Sequence, residues 1–201
     1  MKARILIWWL IISGFSFISR FLVTTLLTTI FPSEAFFASW VGLIRVVTGA
    51  RTVAEYPTHI EAFLVVLELN TLAVLAVSLA GAILMSSILL PVYGAFYGLA
   101  LFGGGLKLPE ACSLALFFFE SLFLVLTAAF SSFFGSCFFG FCSPNPRTLL
   151  RFWLDSVHRT PKPIVSCLAL VRMHREKILL STLTILMLMI LAGWYEIWIA
   201  T

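Results

Sequence analysis

Apolar residues in this chain run on without a polar face, and polar positions interrupt them only at long intervals. Helices of soluble proteins show a stripe and half-buried strands alternate; these runs do neither. They predict five spans, at about 5–31, 62–84, 86–106, 111–135 and 178–200. A helix needs about 20 apolar residues to cross the hydrocarbon core. Backbone groups inside a bilayer must pair internally, so each run is expected to be a helix, and the lack of alternation excludes an outer-membrane barrel. The fold class expected is all-α, a polytopic helical membrane protein forming a single membrane domain over 1–201.

Within the first run Gly14-Phe15-Ser16 is a weak cleavage-like site, but the apolar sequence continues through Phe31, which favours a retained helix. Residues 62–105 are long enough for two spans. Their break is expected at Pro91, flanked by Ser86, Ser87 and Gly94, so that the third span runs 92–106, or 86–106 if it begins ahead of the proline.

Two stretches between the runs are amphipathic. Trp40, Val41, Leu43, Ile44 and Val47 give part of an interfacial helix that Gly49 and Tyr56-Pro57 end. Over 142–177, Asn145-Pro146 is a helix start, and Leu149, Leu150, Phe152, Trp153 and Val157 form an apolar face beside Arg147, Arg151 and Arg159. Trp194, Tyr195 and Trp198 read as an interfacial aromatic end to the last span.

Composition sharpens the picture. The chain is 61% hydrophobic and 11% charged, against about 25% charged in soluble domains. The net charge of +4 is unevenly spread. Arg147, Arg151, Arg159, Lys162, Arg172, Arg175 and Lys177 cluster beside the last span, opposed by Asp155 and Glu176. Membrane lipid is the expected partner of this basic surface, nucleic acid the weaker alternative. With Lys2 and Arg4 the segments 1–4 and 142–177 carry nine basic residues, against Arg45, Arg51 and Lys107 in the opposite loops. This bias puts the chain in the cell membrane with a cytoplasmic N-terminus and an outside C-terminus. Cys112, Cys137, Cys142 and Cys167 have no metal or redox spacing and read as small hydrophobes.

The charges inside the runs are the candidate chemistry: Arg20, Glu68, Glu120 and Glu196, with Asn70. An ionisable group at the bilayer centre costs about 2.5–3.5 kcal/mol on insertion scales. Arg20 lies about 16 Å and Glu120 about 14 Å below the outer ends of their spans. Equal depth suggests an ion pair. Glu196 can snorkel and Glu68 can bond locally, whereas Asn70, about 200° around the helix from Glu68, is read as an interhelical hydrogen-bonding residue. Gly81, Gly94, Gly98, Ala128, Ser132 and Gly135 are expected packing positions, through the GxxxG at 94–98 and small-xxx-small pairs such as Ala128/Ser132. No histidine or aspartate falls in a span, and Gly103-Gly104-Gly105 before Lys107 is not a phosphate loop, so no enzyme chemistry, metal or cofactor is expected.

A family resemblance rests on several of these residues. Glu68-Leu-Asn70 through Gly81, then Tyr93-Gly94 and Gly98, resembles the stage II sporulation protein M family. So do Leu116-Phe-Phe-Phe-Glu120 with Ala128-Ala129 and Gly135, and the closing Leu191-Ala192-Gly193-Trp194-Tyr195-Glu196. The likeness covers about residues 60–200. It departs from the family pattern at Leu116 and Phe117, where His-Gly is usual, and at Tyr93, where asparagine is common. The resemblance implies an integral membrane scaffold or assembly subunit that organises membrane-protein partners or forms a homo-oligomer. The residues alone leave open a transporter or channel component with Glu120 as an ion or proton site.

Overall fold

In the computed structural model of the chain, residues 2–30, 58–102, 110–138, 172 and 175–200 are described. The amphipathic stretch around Trp40 and residues 142–171, with Arg147, Arg151 and Arg159, lie outside them.

Every run of apolar sequence that is described is helical: α1 (Lys2–Ile30), α2 (His59–Ala82), α3 (Ser86–Phe102), α4 (Glu110–Phe138) and α5 (Arg175–Ala200). Among the described residues the fold is all-α. Four of the helices are long and apolar enough to cross a membrane, consistent with a multi-pass membrane protein. The helix α3, at 17 residues, reaches only about 25 Å, short of a hydrocarbon core of about 30 Å.

Local signals set the ends of α2. The Thr58 side chain caps its first turn by accepting from the Glu61 backbone N–H at 3.2 Å, and Thr58 with Glu61 makes the Thr-x-x-Glu spacing of a capping box. At the other end Leu84 adopts φ 63°, while the Met85 N–H bonds the Ala80 carbonyl and the Leu84 N–H bonds the Gly81 carbonyl. This is the Schellman arrangement, with leucine where glycine is usual. A left-handed non-glycine residue costs about 1–2 kcal/mol; here Leu84 is fully buried, which offsets it. The expected break at Pro91 is therefore displaced to Ile83–Met85. Pro91 sits inside α3, in its second turn, where it removes the one backbone bond its N–H would have given the Ser87 carbonyl.

The contacts give each helix a direction. Phe17 and Phe21 of α1 lie against Gly94 and Gly98 of α3, so these two run parallel. Trp9 reaches Ser136 and Phe17 meets Phe117, so α4 runs opposite to α1. Ser86 bonds Ser132 and Tyr97 lies beside Glu120, so α4 is also antiparallel to α3. Thr71 meets Met189 while Phe63 meets Trp194, which makes α2 and α5 antiparallel. The five helices alternate in direction. The start of α1, the end of α4 and the start of α5 share one end of the bundle.

The helix α4 is the hub, packed on all four others, while α1 lies mainly along α3. Phe17, Val77, Leu90, Phe123, Leu124, Ala128, Met189 and Ala192 form the main core. Small residues let the backbones close. A side chain on Gly94 would strike the Phe17 carbonyl, one on Gly135 the Ala82 carbonyl, and one on Gly81 the Ser131 side chain. Ala128 and Ser132 are fully buried in the same seam.

Candidate functional site

Charge is most deeply enclosed where α3, α4 and α5 meet. Glu120 is 5% exposed, although it lies in a phenylalanine-rich run. Its position follows from the helical period of α4. Leu116, Glu120, Leu124 and Ala128 recur every four residues, with Phe123 beside Leu124, and all are buried in the bundle.

The Tyr97 hydroxyl of α3 lies beside the Glu120 carboxyl, placed to donate to it. Glu196 of α5, half-buried, lies close enough to interact electrostatically with both, and Tyr93 is a further neighbour of Tyr97. One wall is aromatic: Phe21 stacks on Phe117 at 3.8 Å between ring centres, and Phe17 contacts both Phe117 and Tyr97. The other is Phe119 against Tyr195. Two carboxyl groups and a phenol thus share one enclosed spot with no cation beside Glu120 among the described residues.

The ion pair of Arg20 with Glu120 is not formed. Arg20 is exposed on α1, and the electrostatic neighbours of Glu120 are Tyr97 and Glu196. Pairing needs the two side chains on facing sides of their helices as well as at equal depth. The inward positions of α1 at this level are Phe17 and Phe21; Arg20 points away from them.

The other candidates divide similarly. Glu68 is exposed on α2, while Asn70, two residues on, is 8% exposed and its Nδ2 has no hydrogen-bond partner. Ser13 Oγ is likewise buried and unpartnered. The packing candidates Gly81, Gly94, Gly98, Ala128, Ser132 and Gly135 are all buried between helices. Arg172, Arg175 and Lys177 are exposed at the start of α5.

Sequence reasoning missed Tyr97 as the partner of Glu120. The available signal was a pair of phenols four residues apart, Tyr93 and Tyr97, each next to a packing glycine. It also missed the hydrogen bonds that tie the far end of the bundle: Trp9 Nε1 to Ser136 Oγ at 2.8 Å, and Ser86 Oγ with Ser132 Oγ at 2.6 Å.

Compared with known proteins, the chain matches no family model, no curated protein and no solved structure. Its function therefore rests on the site.

Proposed function

We propose that the protein is a transporter or channel component in which Glu120, Tyr97 and Glu196 bind a proton or small cation within the membrane. The observation that carries this is a buried Glu120 beside the Tyr97 phenol and a second carboxyl, with no arginine or lysine to neutralise it among the described residues. A structural carboxylate in apolar surroundings is normally paired with a cation. Two acidic groups left together invite a proton or metal cation that comes and goes, and ionisable residues inside a bundle commonly mark such pathways.

A hydrophobic carbodiimide, which couples to protonated carboxyl groups inside membranes, tests this reading. Mass spectrometry of the purified protein should find the adduct on Glu120 or Glu196. Sodium or potassium should reduce it if a cation competes for the site. An adduct confined to Glu61, Glu68 or Glu176 would refute the assignment.

The second reading is an integral membrane scaffold or assembly subunit, as the likeness to the stage II sporulation protein M family implies. It is favoured by the outward face of α2, where Ile60, Leu64, Leu72, Leu75 and Leu79 are all exposed. For either reading we propose the orientation that the basic residues imply, with the N-terminus in the cytoplasm and the C-terminus outside.

A further inference from the structure

Two charges of opposite sign lie on the outside of the bundle, in the stretches that read as membrane-spanning. Arg20 of α1 and Glu68 of α2 are both exposed. They do not meet within one chain, because α1 and α2 make no substantial contact among the described residues and each packs on α4. Each sits in an apolar surface. Arg20 shares its face with Val23 and Leu27, three and seven residues on. Glu68 lies in the row Leu64, Leu72, Leu75 and Leu79, spaced by three or four residues on the side of α2 opposite Asn70 and Val77.

The depths agree. Gly81 of α2 lies against Ser131 of α4. Glu68 is about 20 Å along α2 from that contact, and Glu120 is about 17 Å along α4 on the same side. Arg20 lies between Phe17 and Phe21, whose rings both meet Phe117, three residues from Glu120. Arg20 and Glu68 are thus level to within about one helical turn.

We infer that α1 of one copy of this chain docks on α2 of the next, with Arg20 of one copy paired to Glu68 of the other. Lipid solvates neither charge, and each copy supplies both halves of a complementary pair. The contact is heterologous, so it repeats from copy to copy, closing into a ring where the rotation allows. Copies in one membrane share an orientation, and α1 and α2 run in opposite directions, so the docked helices are antiparallel. That fixes the register. Val23, one turn past Arg20, comes opposite Leu64, one turn before Glu68, while Leu72 lies on the far side of the pair. The inference is independent of whether Glu120 carries an ion.

The test uses chains with Cys112, Cys137, Cys142 and Cys167 changed to serine. One tagged chain carries Val23→Cys, and a differently tagged chain carries Leu64→Cys. Oxidation in native membranes should link the two tags when both are present, and should do so at least fivefold less when Leu72→Cys replaces Leu64→Cys. Arg20→Glu should abolish the link, and adding Glu68→Arg should restore it. Linking of Leu64→Cys chains to themselves would overturn the inference in favour of a two-fold α2 contact. The unaltered protein, fused to a fluorophore and counted by photobleaching in lipid, should show more than one copy per particle. A single copy would overturn the inference regardless of how the variants behave. A different protein co-purifying on these faces in place of a second copy would also overturn it.

Discussion

Glu120 lies beside a tyrosine and faces another carboxyl, and that arrangement determines what a substitution should do. Glutamine at this position keeps the shape and an oxygen facing Tyr97 while removing the ionisable carboxyl beside Glu196. We expect Glu120→Gln to leave the melting temperature unchanged or to raise it. An ion pair with Arg20 would instead have made it cost about 3–5 kcal/mol. Arg20→Gln and Glu120→Gln should be additive within about 0.5 kcal/mol in a double-mutant cycle; a larger coupling would mean that the two residues interact. Tyr97→Phe leaves the carboxyl without its donor and should cost about 1–3 kcal/mol, read by thermal unfolding in detergent. The residue types in the site could be read from the chain, since a glutamate amid phenylalanines stands out. Their partners could not. Depth comes from counting along one helix, but facing depends on the rotation of two, and α1 has no polar face to reveal its rotation.

At the level of the helix, the informative features are the close crossings. Gly135 meets the Ala82 carbonyl and Gly94 the Phe17 carbonyl, both backbone atoms that cannot turn aside. Gly135→Ala and Gly94→Ala should each cost about 1–3 kcal/mol by forcing helices apart, whereas Gly14→Ala, whose nearest neighbour would be a Val125 methyl at 4.0 Å, should be neutral or stabilising. Equal effects at all three in a thermal-shift assay would contradict the packing described. Leu84→Gly relieves a left-handed backbone but empties a fully buried position. Large-to-small core changes cost about 2–5 kcal/mol, so the net effect should be destabilising. These crossings were legible as small-residue spacings. The α2–α3 break was legible only as the gap between the spans 62–84 and 86–106, because Ile83-Leu84-Met85 holds neither glycine nor proline; Pro91, read as the breaking residue, lies inside α3.

Across the whole molecule, the alternating helix directions bring the start of α1 and the start of α5 to one end, where Lys2, Arg4, Arg175 and Lys177 stand in sequence. All-α architecture followed from unbroken apolar runs, the strongest signal a chain can carry for a membrane. Which side of the membrane each end faces follows only from charge bias. Cysteine labelling in a chain lacking its native cysteines should therefore reach Arg45→Cys from outside, and Arg159→Cys only after permeabilisation. The reverse would invert the orientation while leaving the bundle intact.

The central claim is that Glu120 and Glu196 form an ion-carrying site, and flux measures it most directly. Purified protein in liposomes, with an internal pH-sensitive dye and an imposed sodium, potassium or proton gradient, should pass one of these ions. Glu120→Gln should reduce that flux at least tenfold with the melting temperature preserved, and Arg20→Gln should reduce it far less. Absence of flux in the unaltered protein, or equal flux in Glu120→Gln, would contradict the account.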